Sequence, residues 1–177
     1  NSPVKNNTLI IFTVDHGIPI PRHKCTLYDS GISVPLILHM PSEIRGNRRL
    51  NDLISNIDLL PTLLDLVDIK IPSDVQGNSF AKLLEDNNKS SYTPREHVNA
   101  ELTFHDIGYN AIRCIRTMNW KFIKNLHPMD MLFEIPDDAM NSKSCVVYLK
   151  THPEYYKQRP EEELYDLELD PSELVNL

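Results

Sequence analysis

No apolar run in this chain of 177 residues approaches the roughly 20 that a bilayer-spanning helix needs, so no such helix is read and no membrane partner is expected. A basic stripe is missing too. Lys and Arg number 18 against 25 Asp and Glu, a formal charge of −7, and the densest basic stretch, Arg45 to Arg49, is a short loop-like run. That global field opposes a nucleic-acid partner, and none is expected. The three cysteines, Cys25, Cys114 and Cys145, lie far apart without paired spacing, which argues against a zinc knuckle and a dense disulfide scaffold. The opening Asn1-Ser2-Pro3 has neither an initiator methionine nor the pattern of a secretory leader, and a fragment is expected. No internal repeat is visible. What is present, 41% apolar and 24% charged residues, suffices for a domain with a core.

Thr8 to Val14 is a near-continuous apolar and β-branched run, read as a strand buried on both faces in a parallel α/β sheet. It ends at Asp15-His16-Gly17, where the chain turns into a loop holding Pro19, Pro21, Arg22, His23 and Lys24. Ser33 to His39 reads as a second strand, with Pro35 near its start. From Ser55 onward Ile57, Leu60, Leu63, Leu64 and Val67 recur at helical spacing, Ser55 can cap, and Asp58 falls in the first turn. Pro61 lies deep for a helix start, so either the first turn is distorted or the regular helix begins near Leu60. A turn over 73–77 and a short helix over 80–84 lead into a polar loop, 85–94, which marks the boundary between two parts.

Past that loop the pattern changes. Residues 97–102, 110–117 and 120–126 are short and alternating, as in a small antiparallel sheet. A long loop is expected over 127–141, one more strand over 145–149, and a helix start at Asp170-Pro171, because proline suits the first helical position. The expected fold class is α/β. Residues 1–90 belong to a larger α/β domain with flanking helices, and residues 91–177 form a small C-terminal subdomain with an antiparallel sheet.

Ligands of open α/β sheets sit outside the carboxyl ends of the strands, which puts Asp15 and His16 in the expected crevice. Two readings of the pair stand open. In one, Asp15 caps a turn and His16 bonds nearby backbone. In the other, the carboxylate suits calcium or magnesium while the imidazole suits zinc or a substrate oxygen. Lys24 is either a solvated lysine or an ammonium returned to the same crevice, where it stabilises charge building on a leaving oxygen.

The run Phe12 to Gly17, followed by Lys24 to Ile37, resembles the second conserved block of the sulfatase family. The likeness continues through Ser55 to Leu66, Val75 to Ser79 and Glu163 to Leu177, nearly the whole chain. Thr103 to Asp106, Asn110 to Arg113 and Trp120 to Asn125 are most similar to the heparan N-sulfatase (sulfamidase) branch. The resemblance implies a partial alkaline-phosphatase-like parallel sheet and hydrolysis of sulfate esters or N-sulfates, on a sulfated carbohydrate or an aryl sulfate. It also implies a formylglycine nucleophile and a calcium ion. By position, Asp15 and His16 become the metal pair, and Lys24 touches the sulfate and the bridging atom. His16 stands where many members have asparagine, so it can hold the sulfate instead of calcium. His105 falls where the family places a substrate-facing histidine, able to protonate a leaving amine or hydroxyl; a surface histidine at a strand end is the other reading.

The family's nucleophile sits in a Cys- or Ser-led motif with a proline and a downstream arginine. Here Cys25 is followed by Thr-Leu-Tyr, Cys114 by Ile-Arg-Thr and Cys145 by Val-Val-Tyr, and the paired aspartates that complete the metal site are missing as well. The expectation is the C-terminal part of a longer sulfatase, with the missing N-terminal half as its partner. Alone it is expected to be inactive, since a Lewis acid without its nucleophile has nothing to activate. Two alternatives remain: a phosphoesterase of the same superfamily, and a non-catalytic module that binds sulfated glycans. A sheet cut through its middle would also leave Thr8 to Val14 open to association.

Overall fold

The computed structural model describes residues 4–44, 46–85, 92–105, 108–127, 142–153 and 159–177. Most of the loops expected over 85–94 and 127–141 lies outside the described residues, as does Asp106. In chain order the elements are β1 (Ile10–Thr13), α1 (Asp29–Ile32), β2 (Leu36–His39), α2 (Leu59–Leu66) and α3 (Ala81–Leu84). There follow β3 (Val98–His105), β4 (Gly108–Arg116), β5 (Trp120–Asn125), α4 (Lys143–Thr151) and β6 (Glu162–Asp166). They form two compact units, one from the residues up to Phe12 with Leu36–Val98, the other from Thr13–Pro35 with Asn99–Leu177.

In the first unit β1 pairs with β2 in a two-stranded sheet. Alternation along β2 turns Leu36 and Leu38 toward a core of Met40, Ile44, Phe80, Leu83 and Leu84, and leaves Ile37 59% exposed. The opening strand is not buried on both faces as its composition implied: Ile10 and Phe12 are each 56% exposed. A two-stranded sheet packed on one face leaves the other face of an apolar strand in water.

The helix expected from Ser55 starts as a 3-10 turn (Asn56–Asp58) and continues as α2. Pro61 falls in the first turn of α2, where the missing N–H leaves no helical bond unmade. The Ile57 carbonyl that Pro61 cannot engage faces Gly77, where a Cβ would stand 1.9 Å from that oxygen. Ser55 and Asp58 form a capping box. Buried Asp58 also accepts the Asn78 main-chain N–H at 2.8 Å and a two-pronged bond from Arg95. Burial alone would raise the pKa of this carboxyl, but the bonds from Arg95, Ser55 and Asn78 outweigh it and hold the group below the usual carboxylate range.

The second unit is built on a four-stranded sheet in the order β3-β4-β5-β6. β4 and β5 run antiparallel with Cys114 opposite Ile123, and β5 and β6 with Lys121 opposite Tyr165. Inward-facing Ile112, Cys114, Ile123 and Tyr165 join Leu27, Tyr28 and Leu167 in one core. The stretch 145–149, expected as a strand, lies in helix α4, whose N-cap Ser142 accepts the Cys145 N–H at 3.1 Å. Cys145 and Leu149 are four residues apart and pack together, so the short apolar run was one face of a helix. At Asp170 no helix starts. Its carboxylate accepts the N–H groups of Leu174 and Val175 in a turn instead. No helix among the described residues is long and apolar enough to cross a membrane.

Candidate functional site

The loop after β1 folds back on itself within the second unit. The Gly17 N–H donates to the Gly31 carbonyl at 3.0 Å, and a Cβ on Gly17 would stand 2.1 Å from the Ser30 carbonyl oxygen. This approach explains the glycine of the Asp15-His16-Gly17 turn, and it closes a groove of about 540 Å³, a volume in the range of small-molecule sites. Val14, Ile18, Pro19, Val34 and Pro35 give it apolar walls, and Asp15, His16 and His23 face it from the polar side.

Asp15 and His16 interlock. The Asp15 Oδ1 accepts the His16 main-chain N–H at 3.0 Å, and the His16 Nδ1 lies 2.7 Å from the Gly17 carbonyl. A carbonyl only accepts, so the ring proton belongs on Nδ1 and the Nε2 lone pair faces outward. That Nε2 lies 3.4 Å from Asp15 Oδ2. The pair bonds its own backbone, the first of the two readings made from the sequence, and a carboxylate oxygen and a ring nitrogen lie side by side on the turn. The Asp15 side chain is 85% exposed.

Lys24 follows His23 directly. Its main-chain N–H donates to the Ile18 carbonyl at 3.2 Å, tying it to the groove's edge, while its half-buried side chain is not among those lining the groove. His105 is the last residue of β3, and its side chain lies outside the described part. Among the described residues no group of three or more His, Cys, Asp or Glu is placed to hold a metal ion.

The Arg22 to Asp29 segment is braced from the C-terminal tail, which the sequence reading passed over. The Arg22 guanidinium lies 4.0 Å above the Tyr28 ring and donates to the carbonyls of Ser172 and Glu173. The Glu173 carboxylate accepts the Asp29 N–H at 2.7 Å. Lys121, its side chain wholly buried, sits 2.5 Å from Asp29 and 2.7 Å from Glu173, and Arg116 adds a second cation 3.1 Å from Asp29. Burial would raise the Asp29 carboxyl, but Arg116 and Lys121 hold it below its usual value; at Glu173 burial wins and the pKa is raised. Deeper in the unit, Tyr28 and Tyr165 donate to Glu163 at 2.5 and 2.6 Å. Burial and the Glu163 charge push both phenols upward, so they serve as donors here.

Residues 22–151 match the family model described as N-sulphoglucosamine sulphohydrolase, C-terminal. The chain belongs to the sulfatase family. Two ulvan-active sulfatases of Formosa agariphila are each 33% identical to it over 97% of its residues, and it spans 29% and 33% of their lengths. A solved 2-O GAG sulfatase shares the fold with a TM-score of 0.71 at 24% identity, over 99% of this chain and 33% of that one. The fold is that of sulfatases, the alkaline-phosphatase-like α/β class expected from the sequence. This sulfatase chain thus spans about a third of the length of such relatives.

Proposed function

We propose that the chain is the C-terminal part of a sulfatase that hydrolyses sulfate esters or N-sulfates of a sulfated carbohydrate or an aryl sulfate. The observation that carries this reading is the groove lined by Asp15, His16 and His23, with the Lys24 main chain held at its edge. Asp15 offers the hard oxygen that calcium prefers, and His16 a nitrogen that serves calcium poorly but can meet a sulfate oxygen when protonated. Two side chains are a fraction of the six to eight donors calcium takes, so the rest of the shell belongs to parts of the enzyme outside the described residues. The bound ion would supply Lewis-acid polarisation of the sulfate oxygens. Lys24 neutralises charge on the sulfate and the bridging atom, and His105 is the group that protonates the leaving amine or hydroxyl.

The formylglycine nucleophile comes with an N-terminal half, and exposed Ile10, Phe12 and Ile37 in the first unit support the need for such a partner. A phosphoesterase would need two metals and several Asp and His ligands, more than the described residues bring together. A non-catalytic glycan-binding module uses the same groove and differs only in turnover.

Equilibrium binding of a heparin oligosaccharide to the wild type and to Lys24→Ala tests the reading. Loss of one charge-assisted contact should weaken binding at least about tenfold, and equal affinities would remove Lys24 from the site. The isolated chain is expected to release no sulfate from an aryl sulfate or a sulfated glucosamine. Clear turnover would mean that the nucleophile is in this chain after all.

A further inference from the structure

We propose that His23 reads the sugar and not the sulfate: its Nε2 accepts a hydrogen bond from a hydroxyl of a sulfated sugar lying in the groove beside Asp15 and His16. This rests on the sulfatase reading above and adds a specificity-determining residue to it. The His23 ring lines the groove. Its Nδ1 lies 3.1 Å from the Pro21 carbonyl, which can only accept, so the proton belongs on Nδ1 and the Nε2 lone pair is left as an acceptor. A ring nitrogen that presents a lone pair suits an O–H donor, which a sugar carries and a simple aryl sulfate lacks.

The turn that presents His23 is strained and held. Arg22 and Cys25, on either side of it in the chain, have left-handed backbones with φ of 71° and 63°, a conformation disfavoured for residues with a Cβ and found where surrounding contacts enforce it. Here Thr26 Oγ1 donates to the His23 carbonyl at 2.8 Å, Ser30 Oγ to the Arg22 carbonyl at 2.5 Å, and the Arg22 side chain to the carbonyls of Ser172 and Glu173. These bonds hold the backbone around His23, and the Pro21 carbonyl holds its ring.

The test uses the full chain with nitrogen-15 in its histidine rings, titrated with a sulfated glucosamine, with inorganic sulfate and with nitrophenyl sulfate. The expected result is an Nδ1-protonated His23 whose Nε2 resonance moves with the sugar alone, while His16 responds to all three sulfates. His23→Ala should weaken binding of the sulfated glucosamine about five- to tenfold, the loss of one hydrogen bond, and leave the two sugar-free sulfates unchanged. His23→Gln, whose amide oxygen still accepts, should recover part of the loss. A His23 protonated on Nε2 overturns the proposal, as does an alanine variant that weakens all three ligands alike. Silence of His23 with a response at His16 refutes the proposal alone. Silence of both rings to every ligand refutes the sulfatase groove as well.

Discussion

Replacing Lys121 by methionine keeps most of the side chain's length and removes only its charge. The ammonium is wholly buried, 2.5 Å from Asp29 and 2.7 Å from Glu173, and donates to the Leu27 carbonyl at 3.1 Å. Without it Asp29 keeps Arg116 at 3.1 Å, whereas the Glu173 carboxylate keeps, among the described residues, the Asp29 N–H alone. Removing one partner of a buried pair costs about 3–5 kcal/mol, and because Arg116 still serves Asp29 the lower figure, about 3 kcal/mol, is expected. Lys121→Met combined with Glu173→Leu deletes both charges and should recover about 2 kcal/mol of that loss, since neutral replacement of a whole pair is often tolerated. Urea unfolding of the two single variants and the double variant closes the cycle. The deficit of Lys121→Met should also shrink as pH falls toward about 4, near the unfolded carboxyl value, because a raised Glu173 pKa favours the protonated folded state at low pH. A single variant within about 1 kcal/mol of wild type, or a double variant as unstable as the sum of the singles, would refute this reasoning.

Asp58 and Asp29 behave oppositely to Glu173. Their folded pKa values are depressed, so their stabilisation is present above the unfolded value of about 3.9 and is lost as pH falls through the folded values. Urea midpoints measured down to about pH 2 should drop at the acid end, and Asp58→Asn should flatten that drop while costing about 3 kcal/mol at neutral pH. Gly77→Ala places a Cβ 1.9 Å from the Ile57 carbonyl oxygen and should cost at least about 1–3 kcal/mol by thermal or urea unfolding. Gly46→Ala, with nothing within 4 Å, should stay within about 0.5 kcal/mol of wild type. Ile37→Lys and Phe12→Lys, at positions 59% and 56% exposed, should reduce self-association in sedimentation without loss of stability; unchanged association would show that this face is not the sticky one.

Much of the fold was legible because local patterns determine it. Ser55 with Asp58 signalled the helix start, and Pro61 left open a distorted first turn or a regular helix from near Leu60; a 3-10 segment precedes an α-helix that begins at Leu59. Alternation gave the strands of the second unit's sheet, though not the strand at Glu162–Asp166. What failed was local too. Five residues from Cys145 to Leu149 cannot tell a strand from one face of a helix, and only Ser142 as an N-cap decides it. Thr8 to Val14 reads as buried because of its composition, but burial depends on what covers it.

At the site, the turn Asp15-His16-Gly17 was visible at the carboxyl end of a strand, and the structure puts both side chains on one groove. His23 was only a neighbour in sequence, since the turn that carries it runs through two left-handed residues, Arg22 and Cys25, that no composition reveals. The bracing by Lys121 and Glu173 spans more than 90 and 140 positions back to Asp29, and a buried charge triad of that reach leaves no periodic signal.

The most direct measurement replaces the C-terminal third of an ulvan-active sulfatase with this chain and follows sulfate release from an aryl sulfate. Release by the folded chimera, falling to background with Asp15→Ala and with Lys24→Ala, is the predicted result. A folded chimera that releases none, or one equally active with Asp15→Ala, would contradict the assignment of this groove to sulfate hydrolysis.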